Sequence, residues 1–334
     1  MKTVLVTGGG GFIGSTLVDQ LLARGGGVRG IGRSAYPQLA ARGVTCIQLD
    51  LAAADERTLS APLATALAGC DTVFHVAARA GVWGSLDSYY RTNLLGTLRL
   101  VRAAARAGAA RLIYTSSPSV VFGDEDVAGA DESTPYATRY LAPYPYTKAL
   151  AERYVLRQQA IAAVAVRPPL VWGPGDPHIL PRLITRARAG RLAQIGDGTN
   201  MVDVTYVENA AEAHILAADA LARQPALHGR AYFIGQEHAV NMWQFIGEII
   251  AHAGAPAIRR RLPLPLALAI AGTLEDSYRR LRIAHEPPFT RLTVTQLARS
   301  RWFDLSAARR DLGYGPRISL AEGLQRTFAT PPWW

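Results

Sequence analysis

The sequence predicts an α/β chain organised as a doubly wound parallel sheet with a smaller, interleaved C-terminal lobe. Three observations carry this expectation. The chain opens on a strand, a glycine turn and a helix. Apolar strands and helical segments then alternate as far as residue 166, and a proline-rich stretch breaks that alternation immediately afterwards.

The first element is the β-branched run KTVLVT, Lys2 to Thr7, followed by a glycine turn and by Leu17, Leu21 and Leu22 at helical spacing. Gly8, Gly11 and Gly14 have the spacing of a Rossmann dinucleotide fingerprint: tight turn, close backbone approach to pyrophosphate, helix packing on the strand. Phe12 and Ile13, between the second and third glycines, open the helix, whose free amides then face the phosphates. The second strand, Val28 to Ile31, ends at Gly32 and Arg33, where an NAD enzyme places an acid on the adenosine ribose. Glycine makes room there and Arg33 can pair with a 2′-phosphate, so NADP(H) is expected in preference to NAD(H).

The alternation continues with a strand at 44–49, a helix at 58–67 and a strand at 72–77 that is apolar throughout, as a doubly covered parallel strand should be. Asp50 and Leu51 close the third strand, either facing the adenine or serving as an ordinary cap, and Ala77 closes the fourth beside the cofactor. Helices at 86–107 and 144–159 lead into strands at 111–115 and 161–166, and Gly123 to Pro143 reads as a loop bordering the site. RPPLVWGPGDPH, from Arg167, marks the lobe boundary. The first domain is therefore expected over 1–166, completed by strands and a helix within 201–235, and the substrate lobe over 167–200 and 236–334.

Tyr144 and Lys148 stand four apart, on one face of a helix. Lys2 and Lys148 are the only lysines among 36 basic residues, so arginine was used almost wherever a cation would do. An ammonium is a compact point charge that fits beneath a tyrosine hydroxyl, where a planar guanidinium does not. A neighbouring cation favours phenolate, which places Tyr144 as the proton-transfer group and Lys148 as its partner. Ser116, Ser117 and Ser119 follow a strand that ends at Thr115, and parallel sheets bind ligands beyond their carboxyl ends. No Gly-x-Ser-x-Gly elbow surrounds them, so Ser117 is expected to hydrogen-bond a carbonyl oxygen rather than attack it. Together these residues fit hydride transfer between a nicotinamide and a carbonyl carbon, with Tyr144 as general acid.

Composition narrows the class further. With 334 residues, 49% of them hydrophobic, the chain can bury a large core. Its formal charge of +10 suits anionic ligands, but the cations are scattered and no zinc-spaced Cys/His cluster occurs, so neither nucleic acid nor a metal is expected. Cys46 and Cys70 make no disulfide framework, and the glycine turn begins so near Met1 that no signal peptide is expected; a cytoplasmic location follows. The longest apolar stretch, 262–274, holds two prolines and is too short to span a bilayer, which leaves a packed helix, a lid or an interfacial segment.

TGGGGFIG at 7–14, YTSSPSVV at 114–121, PYPYTK at 143–148 and RPPLVWGPGD at 167–176 resemble the extended short-chain dehydrogenases/reductases. AGVWGS at 80–85, VDVTYVENAAEAH at 202–214, EPPFTR at 286–291 and ARRDLGYGP at 308–316 are similar to their 3β-hydroxysteroid dehydrogenase-like branch, so the resemblance covers nearly the whole chain. Within it the chain looks most like the bacterial reductases of long-chain olefin biosynthesis. That likeness implies NADPH-dependent reduction of a 2-alkyl-3-oxoalkanoate to a 2-alkyl-3-hydroxyalkanoate. It carries over Ser117, Tyr144 and Lys148 as a catalytic triad, with Ser116 the alternative register, and Asn93 as support for the active-site helix. It also implies a homodimer through the helices at 86–107 and 144–159, and association with other enzymes of that pathway. The substrate expected is a hydrophobic carboxylic acid or a sterol-like molecule, and Trp83, Trp172 and residues 262–274 are apolar enough to line its pocket. Phe122, where sugar-nucleotide enzymes of the wider family have tyrosine, argues against an epimerase. The alternatives are a 3β-hydroxysteroid or sterol dehydrogenase and, from another class, a non-catalytic NADP(H)-sensing protein.

Overall fold

The computed structural model describes residues 3–53, 55 and 57–329; Lys2, the expected start of the first strand, lies outside them. Seven short apolar strands, β1 (Thr3–Thr7), β2 (Val28–Gly32), β3 (Thr45–Gln48), β4 (Cys70–His75), β5 (Arg111–Thr115), β6 (Ala162–Arg167) and β7 (Ala231–Phe233), pair in one sheet. All its ladders are parallel, in the order β7-β6-β5-β4-β1-β2-β3. Central strands such as β5 are buried on both faces because helices cover both. Helices Phe12–Ala23 and Val207–Arg223 close one face through Leu17, Leu21, Ala213 and Leu221; Arg57–Leu67, Gly96–Arg106 and Pro143–Arg157 close the other through Leu63, Leu100 and Val155. Each such aliphatic side chain taken from water contributes about 1.5–3 kcal/mol before the entropy of ordering is counted.

The strand order reverses at β1, flanked by β2 on one side and β4 on the other, so a crevice opens beyond the carboxyl ends of β1 and β4. The site is built around it. The expected long helix at 86–107 is one continuous run with a wide turn in it: α-helical over Leu86–Tyr89, π-helical over Tyr90–Leu95 and α-helical again over Gly96–Arg106. Such widened turns re-aim side chains and cluster at functional places, and this one contains Asn93.

The remaining chain packs around Trp172, Ile184, Ile246, Ala271 and Val294, which join the helices Ile179–Arg188, Met242–His252, Leu264–Arg280 and Arg291–Ala298 in a separate core. Trp172 is fully buried there, edge-on to Tyr206 and Phe245, so it is core and not pocket lining. Two local readings differ from expectation. The segment 123–143 is not wholly loop: Val127–Ala130 forms a strand because Arg301–Phe303 offers it a parallel edge. Residues 202–207 are not one strand, since Met201–Val202 and Thr205–Tyr206 join different sheets. Asp203 makes the break, its N–H donating to the Arg301 carbonyl at 2.9 Å and its carboxylate accepting the Phe303 N–H at 2.7 Å. The apolar stretch at 262–274 enters the helix Leu264–Arg280, and among the described residues no helix is long and apolar enough to cross a membrane.

Candidate active site

The glycine turn fits a dinucleotide pyrophosphate on its own geometry. Gly8 has φ +70°, and a Cβ added there would stand 2.9 Å from the Ala77 Cα; one on Gly14 would stand 2.1 Å from the Gly8 carbonyl oxygen. Both are backbone collisions that nothing relieves, so glycine is required at each. Gly11 caps the helix Phe12–Ala23 without a side-chain hydrogen bond, which leaves the first-turn amides of Phe12 and Ile13 for an anion. Ala77 lies against this turn and donates its N–H to Thr7 Oγ1 at 3.1 Å, tying the ends of β1 and β4 together.

The other cofactor positions divide. Arg33 is exposed just past β2, with no ion-pair partner among the described residues. The space beside Gly32 is not empty, as the sequence alone suggested. A Cβ on Gly32 would lie 2.1 Å from the Tyr36 hydroxyl, and one on Gly10 would lie 2.1 Å from the same ring, so the phenol stands between the two glycines at the end of β2. Asp50 is exposed, and its carboxylate accepts the Ala52 N–H at 2.9 Å, a capping contact. Leu51 is buried against Gly96, and its carbonyl accepts from Arg99 at 3.0 Å.

Ser117 and Tyr144 line one cavity of about 90 Å³ beyond the end of β5, with Phe122, Pro169 and Phe303 as apolar walls. Pro118 turns the chain sharply into a 3-10 turn over Pro118–Val120, which Ser117 caps by accepting from the Ser119 N–H at 3.2 Å. The Ser117 hydroxyl also shares a 2.8 Å hydrogen bond with Ser119 Oγ. Burial pushes the Tyr144 phenol above its ordinary pKa, against a smaller opposing pull from Ser117. This corrects the expectation that Lys148 favours phenolate: the phenol is a neutral acid at physiological pH. The Lys148 ammonium instead donates to the Thr115 carbonyl at 2.5 Å and sits 4.1 Å from the centre of the Tyr114 ring, on the side of the site facing the sheet. Only 2% exposed, it has its pKa lowered by desolvation to about 7, with Glu152 opposing the shift.

Glu152 continues the row Tyr144, Lys148, Glu152 one helical turn on, and is fully buried. Its carboxylate accepts from Arg167 at 2.6 and 3.0 Å and from the Tyr136 hydroxyl at 2.7 Å. Burial would raise its pKa, but Arg167 holds it below the ordinary value, so it stays ionised beneath Lys148. Ser116 is buried and near enough to favour that charge, though its hydroxyl has no partner within hydrogen-bonding distance. Ser116 thus faces the ion pair, and Ser117 the cavity. On the other side Asn93 accepts the Arg79 N–H at 2.7 Å and donates to the Arg79 carbonyl and Thr147 Oγ1, both at 3.1 Å, which joins the widened turn to the helix that carries Tyr144.

Several functional groups escaped the sequence reading. Glu152 was legible in principle from its spacing to Lys148. His75 was not: it bridges Thr7 at 2.7 Å and Thr97 at 2.8 Å, and burial lowers its pKa to about 3, so it is a neutral strut. Trp83 packs edge-on against Tyr278 with Arg279 above it, so the Leu264–Arg280 helix reaches back over the loop beside Tyr89.

Comparison with known proteins decides the family. Residues 5–266 match the 3-beta hydroxysteroid dehydrogenase/isomerase family. The chain belongs to it. It is an NAD(P)-dependent oxidoreductase of the extended short-chain type. Members similar to it include the 2-alkyl-3-oxoalkanoate reductases of Stenotrophomonas maltophilia, 44% identical with 98% of each chain covered, and of Shewanella oneidensis, 42% identical over 97% of this chain and 85% of the relative. The sterol-4-alpha-carboxylate 3-dehydrogenase of Mus musculus is 33% identical over 98% of this chain and 90% of that one. Among solved structures, gox2253 superposes with a TM-score of 0.79 at 27% identity, covering 98% of this chain and 97% of that one. MoeE5 in complex with UDP-glucose and NAD gives 0.72 at 30% identity, with the same coverage.

Proposed function

We propose that the protein reduces the ketone of a 2-alkyl-3-oxoalkanoate to the secondary alcohol of a 2-alkyl-3-hydroxyalkanoate, with NADPH as cofactor. The observation that carries this is the cavity that Ser117 and Tyr144 share beyond the end of β5. Ser117 hydrogen-bonds the carbonyl oxygen, and Tyr144, a neutral phenol whose pKa is raised further by desolvation, donates a proton to that oxygen as charge develops on it. Lys148, held ionisable by Glu152, supplies positive charge under the site. The bound nicotinamide supplies the hydride. The glycine turn, Phe12, Ile13 and Ala77 hold the pyrophosphate side, and Arg33 with Tyr36 reads the adenosine ribose, where the absence of an acid favours the 2′-phosphate. Asp50 and Leu51 bound the adenine.

The substrate reading rests on relatives above 40% identity that are named for the reduction of 2-alkyl-3-oxoalkanoates. The sterol enzyme of mouse supports the same chemistry, since its name sets a carboxylate on the carbon next to the reacting one. A steroid substrate is the second reading, favoured by the 3-beta-hydroxysteroid dehydrogenase of Mycolicibacterium neoaurum at 34% identity. We also propose a cytoplasmic homodimer through the helices expected at 86–107 and 144–159, working beside other enzymes of olefin synthesis; a monomer in sedimentation at micromolar concentration would contradict the dimer. NADPH oxidation screened against 2-alkyl-3-keto acids of graded length, sterols and nucleotide sugars tests the assignment. Turnover of the keto acids supports it, and turnover of sterols alone overturns it. NADPH binding without turnover of any of them points to a sensor.

A further inference from the structure

Arg301, only 6% exposed, opens the short strand Arg301–Phe303 and lines the cavity that holds Ser117 and Tyr144. One nitrogen, Nη2, donates to the carbonyls of Gly123 at 3.2 Å and Glu125 at 3.3 Å. Nε and Nη1 are buried and have no partner. The guanidinium lies 3.9 Å from the centre of the Phe122 ring, and Phe122 is stacked on Phe303, which in turn stacks on Phe233. These contacts fix where the cation sits without neutralising it. Among the described residues no carboxylate lies within ion-pair distance of it; Glu125 and Asp126 act on it only from farther off. Asp203 lines the same cavity; one of its carboxylate oxygens accepts the Phe303 N–H at 2.7 Å, and burial raises its pKa to about 6.

A buried guanidinium with two unpaired nitrogens is costly, and folded chains rarely keep one without an anion to meet it. The two free nitrogens lie on different edges of the guanidinium, with the bonded Nη2 between them, so each can donate to a carboxylate oxygen singly and not as a fork. In a 3-oxo acid the carboxylate carbon is two bonds from the ketone carbon, so a ketone held on Tyr144 and Ser117 keeps its carboxylate within the same small cavity, which Arg301 also lines.

We propose that Arg301 is the residue that recognises the substrate carboxylate, making the site selective for β-oxygenated carboxylic acids over neutral ketones. This rests on the keto-acid reading above. Burial lowers the pKa of Arg301 to about 10, which leaves it charged at neutral pH.

The test compares oxidation of a 2-alkyl-3-hydroxy acid, which unlike the keto acid does not decarboxylate, with oxidation of its methyl ester, both with NADP⁺. Wild type is expected to favour the acid roughly 100-fold or more in kcat/KM, and Arg301→Met to collapse that ratio toward unity. The Kd of the hydroxy acid, measured calorimetrically, should rise by a similar factor, while the Kd of NADP⁺ stays unchanged. If Arg301→Met does not fold, Arg301→Lys keeps the charge without the guanidinium's donor positions and should lower the ratio part of the way. A wild type that handles acid and ester alike, or a variant that loses both equally, overturns the role of Arg301 and leaves the reductase reading standing. A wild type that oxidises neither, but oxidises a sterol, removes the keto-acid reading itself and Arg301's role with it.

Discussion

Lys148 is placed at a thermodynamic cost that can be measured by removing it. In the unfolded chain its amine has the ordinary value of 10.5, whereas in the fold desolvation brings it to about 7. Below pH 7 the ammonium is charged in both states, and its burial costs the native state roughly 5 kcal/mol at ~1.4 kcal/mol per unit. Between pH 7 and 10.5 the unfolded chain binds the extra proton, so native stability rises with pH across that window. Lys148→Met removes the charge from a site that is only 2% exposed and leaves the Glu152–Arg167 pair intact. Losing the hydrogen bond to the Thr115 carbonyl returns about 1–3 kcal/mol of this, so the variant should be roughly 2–4 kcal/mol more stable at pH 6. That advantage should shrink by about 3 kcal/mol by pH 9, and activity should be lost throughout. Urea titrations of both proteins at pH 6, 7.5 and 9 measure it. A variant less stable than wild type at pH 6, or a difference that does not move with pH, would refute the claim that Lys148 is a strained functional group.

Other perturbations follow from the same geometry. Glu152→Gln strands the buried Arg167 without its counter-charge and should destabilise the fold by about 3–5 kcal/mol in denaturant titration. Gly14→Ala forces a methyl group onto the Gly8 carbonyl oxygen and should abolish NADPH binding in a fluorescence titration, because no flexible side chain can yield there. Gly32→Asp should weaken NADPH binding, since a side chain at Gly32 must evict the Tyr36 ring; with Tyr36→Ala added, the acid gains its seat, and the NADH to NADPH affinity ratio should rise more than in either single variant.

Much of the scaffold was legible because its signals are local. The β1 run, the fingerprint glycines and the apolar strands each state their conformation within a few residues, and the βαβ alternation makes the sheet parallel. Tyr144, Lys148 and Ser117 were legible for the same reason, one pair by helical spacing and the other by its place at a strand end. What was not legible depends on partners far away in sequence. Tyr36 fills the room beside Gly32 only once β2 and the glycine turn have met. Arg301 reads as one arginine among many until a strand pairing brings it, across a long separation, to Phe122. The two pKa directions expected of Tyr144 and Lys148 could not be read from their spacing, because desolvation is the largest influence on each: it raises the phenol and lowers the amine.

The central claim is that Tyr144 gives the proton to the ketone oxygen. Tyr144→Phe removes one hydroxyl from a site whose cofactor cradle it leaves intact, so kcat for a 2-alkyl-3-keto acid should fall by roughly 10² to 10⁴ while the NADPH dissociation constant holds. A variant that keeps its kcat with the same affinity for NADPH would contradict the mechanism at its root.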